Sequence, residues 1–369
     1  MRLENNKWKM VKLGDCCQFF NGKAHEKQID NNGNYIVVNS RFISSSGAIY
    51  KKTKEALFPL FKNDIVMVMS DVPKGKALAK CYLIEEDNKY SLNQRICAIR
   101  SDKVEARFLY YHLNRHPYLL NFDNGENQTN LRKEDILKCP LYIPPIEEQK
   151  RIVEILDKAF EGIAQAEANT RRNLINAREL FDSYLNQVFT KHDQNWTQEP
   201  LGKVCTLQRG YDLPQRLRVE GKFPLVSSSG IIDSHQEAKV KAPGVVTGRS
   251  GSIGSLFYVK ENFWPLNTVL YVKDFHENDP EFIFYLLKHF NLGKYASGAG
   301  VPTLNRNHVH SVLVKKPIFI EEQKNLVKSL NKLQEYQKRL ETIYQRKLEA
   351  IAELKQSILE KAFTGQLSQ

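Results

Sequence analysis

Glu147-Glu148-Gln149-Lys150 returns as Glu321-Glu322-Gln323-Lys324, 174 residues further along the chain. The shift then holds without a gap to Phe189-Thr190 and Phe363-Thr364, so one tail segment is present twice. Upstream, Trp8, Leu13, Gly14, Cys17 and Gly22 reappear as Trp196, Leu201, Gly202, Cys205 and Gly210 at a shift of 188. Each copy is therefore a head followed by a tail, the first head being 14 residues longer than the second and the tails equal. Looking for a repeat first matters because a single-domain reading of the chain would miss this symmetry. The expected division is a first head over 1–146, a first tail over 147–190, a second head over 191–320 and a second tail over 321–369.

Both tails read as long helices. Ala, Leu, Glu, Lys, Arg and Gln dominate, no proline interrupts them, and Pro144-Pro145 and Pro317 stand just before them, where proline can open a helix but not continue it. A heptad register runs through each. In the first, Leu156, Ile163, Thr170, Ala177 and Tyr184 take position a, and Ile152, Ala159, Ala166, Asn173, Leu180 and Gln187 take position d. In the second, Leu330, Gln337, Tyr344, Ile351 and Ile358 take a, and Leu326, Leu333, Leu340, Lys347, Leu354 and Lys361 take d. About 44 residues at a rise of 1.5 Å make roughly 66 Å of helix, too long to lie on one small domain. A heptad seam needs a partner. The intervening head favours an antiparallel pair within the chain, with the heads at opposite ends of the rod; a homodimeric coiled coil is the structural competitor. Thr170, Asn173, Gln337 and Lys347 either set register, face another subunit or are merely tolerated.

Charge divides unevenly. Of the net +12, Lys and Arg outnumber Asp and Glu by 23 to 16 over residues 1–146 and by 16 to 11 over 191–320, while the tails count 6 to 8 and 9 to 7 over 147–190 and 321–364. A basic excess confined to the heads suits a polyanion-binding surface, with solubility as the plainer explanation. The N-terminus lacks an apolar signal core and the apolar runs are of strand length, so a cytoplasmic protein is expected. Six cysteines without a C-x-x-C pair indicate neither a disulfide framework nor a zinc site.

The heads read as mixed α and β. Strands are expected at Ile65 to Met69, Ala79 to Ile84, Ile96 to Ile99, Gly244 to Thr247, Gly254 to Val259 and Val269 to Val272. Each head opens with a strand and turn, then runs into a serine cluster, Ser44-Ser45-Ser46-Gly47 or Ser227-Ser228-Ser229-Gly230, and later forms a short helix with matching Phe108/Phe282 and Tyr111/Tyr285. The expected fold class is α+β: two mixed α/β heads and two long antiparallel coiled-coil helices, with an internal pseudo-two-fold repeat. Polar loops 125–131 and 298–304 either open a helix or clamp a phosphate. Gly248-Arg249-Ser250-Gly251-Ser252-Ile253-Gly254 looks like a phosphate cradle without the Lys-Ser/Thr of a nucleotide-binding loop. Ile143-Pro144-Pro145-Ile146 cannot serve as an amino-methyltransferase motif, and no metal-nuclease pattern stands out. His308 and His310 read as structural. No catalytic residue, cofactor site or metal ligand is assigned.

The ordered parts resemble the specificity subunit of type I restriction-modification systems. They are a Trp-x4-Leu-Gly opening, the serine loop, Asn93-Gln94 after a strand, the Phe-x-x-Tyr helix, Pro144-Pro145-Ile146-Glu147-Glu148-Gln149 and the long helix, nearly all doubled. The resemblance implies two target recognition domains, each reading one half of a split asymmetric sequence in double-stranded DNA. It also implies helices that hold the domains apart and dock two methyltransferase (modification) subunits, with two restriction (ATPase-nuclease) subunits completing the complex. S-adenosylmethionine, ATP and magnesium belong to those partners. The second copy departs in having Asn267-Thr268 for Asn93-Gln94 and Pro317-Ile318-Phe319-Ile320 for Ile143-Pro144-Pro145-Ile146.

Ser, Asn, Thr, Lys and Arg on loops can donate to phosphates or reach base edges. The candidate contacts are Lys23, Asn39, Arg41, Ser44, Ser45, Lys74, Lys76, Asn127 and Thr129 in the first head. In the second they are Arg209, Ser227, Ser228, Arg249, Ser250, Ser252, Thr303, Asn305 and Arg306. The rival readings are a specificity subunit with a fused methyltransferase-nuclease partner, an enzyme holding a phosphorylated substrate on the 248–254 loop, and a scaffold that binds no DNA.

Overall fold

The computed structural model describes residues 8–73, 75–190, 194–298 and 302–367. Two compact units result, Met1–Asn169 with Lys347–Gln369, and Thr170–Arg346. Each combines one head with stretches of both long helices.

The central sheet of the first head is antiparallel, in the order Gln18–Asn21, Ile96–Arg100, Ile65–Val68, Cys81–Leu83. Its middle strand reads as an unbroken apolar run because both faces are covered. Ile65 and Met67 enter the core beneath the helices, while Val66 and Val68 enter a second core shared with Phe42, Ile43 and Leu92. The second head repeats the order with Thr206–Arg209, Val269–Asp274, Gly244–Gly248 and Leu256–Val259. There Val245 and Val246 part to opposite cores in the same way.

A three-stranded sheet accompanies each. Tyr35–Val38 lies between Lys51–Thr53 and a parallel Tyr90–Leu92; Phe223–Ser227 lies between Gly230–His235 and a parallel Trp264–Pro265. A two-stranded ribbon, Lys9–Lys12 with Pro140–Ile143 or Trp196–Pro200 with Leu313–Pro317, joins the start of each head to its end. The head openings are more broken than expected, since Leu13–Cys16 and Leu201–Val204 are helical turns between two strands.

Four helices carry the frame. α1 (Ala106–Leu113) starts where the Glu105 carboxylate accepts from Phe108 N, and α2 spans Ile146–Thr190. α3 (Pro280–Phe290) has proline at its first position and Asp279 as its cap, and α4 spans Ile320–Phe363. The recurring Glu-Glu-Gln now has a structural reason. Gln149 and Gln323 are both buried at 2% exposure. Their side-chain oxygens accept from Glu105 N at 2.8 Å and Asp279 N at 3.0 Å, and their amide nitrogens donate to Pro144 O and Pro317 O. A second matching tie joins Tyr111 Oη to Asp157 at 2.5 Å and Tyr285 Oη to Asn331 at 2.5 Å. Each long helix thus grips its own head through side chains 174 residues apart in the repeat.

The helices run antiparallel. In the first unit Arg151 donates to Leu367 O, and Lys355 lies 5.3 Å over the Phe160 ring; in the second, Arg178 pairs with Glu341 at 2.9 Å. The heptad register needs correction. Along α2, Ile163, Thr170 and Ala177 are buried at a spacing of seven, but burial then passes to Phe181, Leu185 and Phe189 at a spacing of four. The d residues Asn173, Leu180 and Gln187 are exposed, as are Leu340, Lys347, Leu354 and Lys361 in α4. An i+4 row precesses by about 40° per step, and this turns the apolar face of α2 from its partner helix toward the second head.

Candidate nucleic-acid interface

The candidate contacts of the first head lie where loops gather at strand ends. Gly22 sits at a crossing so close that a Cβ would stand 2.0 Å from Asn93 O. This brings exposed Lys23 beside Asn93, whose backbone N–H donates to Val38 O, next to Asn39. The serine cluster here ends and follows a helical turn, Ser40–Ser44, which the Asn39 side-chain oxygen caps by accepting from Phe42 N at 3.0 Å, and it leads the chain out through positive φ at Ser46 and Gly47. Arg41 and Ser44 are exposed on that turn, whereas the Ser45 hydroxyl is engaged with Phe42 O and Ile49 N. Lys80 Nζ donates to Ser44 O at 2.8 Å, joining this turn to the loop that carries exposed Lys76. Asp71 orders that loop by accepting from Ala77 N at 2.7 Å and Leu78 N at 3.1 Å. Thr129 pairs with Asp71 across a short ribbon, and Asn127 is exposed just before it. Lys74 lies outside the described residues.

In the second head the candidates converge on Asn267-Thr268. Gly210 makes the matching crossing, its Cβ position 2.1 Å from Leu266 O. Arg209 donates both terminal nitrogens to Asp212, at 3.0 and 2.9 Å, and Asn267 Nδ2 donates to the same carboxylate. Arg209 and Asn267 hold the Asp212 carboxyl below its ordinary range. Thr268 accepts Ser228 N on its hydroxyl, and Arg249 N and Ser250 N on its carbonyl. Ser250 bridges to Thr303, and Asn305 caps the turn that bears exposed Arg306. Ser252 is exposed, whereas Ser227 is buried and bonded to Ser229. The serine cluster of this head is therefore a hairpin turn, unlike its counterpart.

Five of the seven backbone amides of the 248–254 loop are engaged within the protein: Gly248 N donates to Ser255 O, Arg249 N and Ser250 N to Thr268 O, Ile253 N to Gly251 O and Gly254 N to Gly248 O. His310 is structural, its Nε2 accepting from Leu207 N at 2.9 Å. Sequence reasoning missed Asp71, Asp212 and Lys80. An acidic partner that poses a cation leaves no local motif, although Arg209-x-x-Asp212 is a spacing that could have suggested one. Among the described residues no cluster of His, Cys, Asp and Glu could hold a metal ion, and no helix is long and apolar enough to cross a membrane.

The type I restriction modification DNA specificity domain model matches residues 5–177 and again 193–350. The chain belongs to that family. It carries the domain twice, which makes it a type I specificity subunit with two recognition domains. This specificity chain is similar to a putative type I specificity subunit of Mycoplasma pneumoniae, with 21% identity covering 87% of this chain and 88% of that one. It is also similar to the EcoBI specificity subunit of Escherichia coli, with 24% identity over 75% of this chain and 69% of the relative. A chain solved in work on complex assembly and conformational transition of the type I system has the same fold, with a TM-score of 0.81 at 18% identity, covering 98% and 99% of the two chains. The HsdS subunit of Thermoanaerobacter tengcongensis gives a TM-score of 0.60 at 18% identity, covering 98% of each chain.

Proposed function

We propose that each head of this specificity subunit reads one half of a split, asymmetric DNA sequence, that the long helices dock two modification subunits, and that two restriction subunits complete a cytoplasmic complex. Catalysis, S-adenosylmethionine, ATP and magnesium reside in those partners, and this chain contributes recognition. The observation that carries the reading is the contrast between frame and loops. The Gln and Tyr ties to the helices recur in both copies, while the serine cluster closes a capped helical turn in one head and forms a hairpin in the other. A shared frame with different polar loops is what two different half-sites need. Exposed Ile175, Leu180, Leu340, Ile343 and Leu354 along the helices support a docking role for that frame.

Lys23, Arg41, Ser44 and Lys76 in the first head, and Ser252 and Arg306 in the second, are the proposed DNA contacts with the freest side chains, while Arg209 and Arg249 are posed by Asp212 and Asn267 O. Asn39, Ser45, Thr129, Ser227 and Asn305 act by shaping the loops that carry them. The test is co-expression with the modification subunit and single-molecule sequencing of methylated DNA. One split motif with modified adenines supports the reading; a stable, active complex that modifies no defined motif would sink it. Arg249→Ala should weaken DNA binding, and fluorescence anisotropy with single-base variants of the motif separates base readout, where loss is confined to certain bases, from phosphate contact, where loss is uniform.

A further inference from the structure

The internal repeat supplies a control within the molecule. In the second unit, Phe181 of α2 is buried at 1% exposure, with its ring 6.3 Å from Tyr285 of α3 and Lys288 Nζ 4.4 Å over it. His289 beside it stacks on Phe189 at 5.1 Å and bonds Asn186. At the corresponding positions of the first unit, 174 residues away in the repeat, stand Lys355, Tyr111, Arg115 and Phe363. Lysine there does not plug the space. A cavity of about 760 Å³ remains between α1 and the end of α4, with walls that include Tyr142, Leu359 and Phe363.

The rim of this cavity is cationic and rich in donors. Arg115 and Lys355 line it, and Lys80 lies close enough to both that their charges, after burial, push its pKa down. Lys80 and Arg115 are bonded to the carbonyls of Ser44 and Lys76, and Lys355 rests on Phe160. Among the described residues none of the three has an ion pair, although Glu360 lies along the same wall. The Asn114 oxygen is taken by Cys81 N, which leaves its amide nitrogen as a donor. His116 Nδ1 accepts from Tyr118 N, so the ring proton sits on Nε2. Arg115 is held in the left-handed region at φ 56°, with its N–H on Ala79 O, a strain that a structure tends to keep where it has a use.

We propose that this cleft receives an aromatic side chain flanked by carboxylates from a partner polypeptide. The ring takes the place that Phe181 fills in the other copy, and the carboxylates meet Lys355, Arg115 and Lys80. DNA phosphates would satisfy the cations but leave the apolar walls uncovered. This inference rests on the reading that the chain assembles with modification subunits.

The modification subunit is therefore the probe, bound to the full chain and to two variants. Lys355→Phe fills the cleft as Phe181 does and should raise the Tm; Lys355→Glu keeps the cleft open and reverses its charge. Both should weaken complex formation at least tenfold by biolayer interferometry. Equal affinity of wild type and Lys355→Phe would overturn the proposal. So would unchanged partner binding with a shallower salt dependence of DNA binding, which would make the cluster a phosphate site. Failure of the wild-type chain to bind the modification subunit at all would instead sink the functional reading, and this inference with it.

Discussion

Gln149 and Gln323 show how much a single buried side chain can fix. Each satisfies a backbone N–H of its head and a carbonyl at its helix start, and removing such a partner leaves each buried group unpaired at about 1–3 kcal/mol. Gln149→Ala should therefore destabilise the first unit by roughly 2–4 kcal/mol, seen as a lower Tm; a change below about 0.5 kcal/mol, the range of ordinary surface substitutions, would refute the clamp. The repeat made both glutamines conspicuous in the sequence, but not their partners, which lie 44 residues away. His112 was not legible at all. It stacks on Phe363 at 4.3 Å across most of the chain, its Nδ1 has no partner among the described residues, and burial pushes its pKa down to about 3, while burial takes His116 to about 4. An unfolded histidine titrates near ~6.5. Between that value and about 3 the unfolded chain binds a proton that the folded one refuses, so stability falls as pH falls, by up to ~1.4 kcal/mol per pH unit for each such histidine. Above pH ~6.5 both states are neutral and the effect vanishes. The Tm difference between pH 7.5 and 5 should shrink in His112→Phe; an undiminished difference would place the acid sensitivity elsewhere.

At the scale of elements, the two long helices and their antiparallel pairing were legible because helix propensity and the absence of proline act locally. The seam was legible only in part. A heptad assumes that one neighbour takes the apolar stripe, whereas α2 and α4 each serve a partner helix and a head. Leu330, at an a position, enters the core with Phe282 and Leu201, whereas Leu340, at a d position, is 36% exposed. Leu330→Ala should cost about 2–5 kcal/mol, as for other buried leucines, and Leu340→Ala less than about 0.5 kcal/mol, both measured by thermal unfolding. Equal costs would restore the simple seam. The strands were readable from their apolar runs, but the serine clusters were not. Similar composition closes a helical turn in one head, after the Ser40–Ser44 helix that Asn39 caps, and forms a hairpin in the other, where Ser227-Ser228-Ser229 turns back into Gly230 at φ 110°.

On the scale of the whole molecule, the chain does not divide where its sequence pattern changes. The core of the first head includes Ala362, with Ile358, Leu359, Phe363 and Leu367 packed against it, from the C-terminal end of α4 and the turn that follows it. Nothing local announces this, since the contacts join the two ends of the chain and only the symmetry of the repeat could have hinted at them. It governs how specificity can be exchanged. Replacing residues 8–145 alone with the head of a relative would set a foreign α1 against Phe363 and leave the His112 stack to chance. Carrying residues 347–367 across with that head keeps its apolar surface matched. The paired exchange should yield a stable subunit whose methylation motif changes in one half only, while the head-only exchange should give a lower Tm and a poorer complex. Methylated-motif sequencing together with the melting curves decides the matter. A change in both halves would mean that the heads do not read independently, and equal stability of the two exchanges would mean that the C-terminal end of α4 is not part of the first recognition unit.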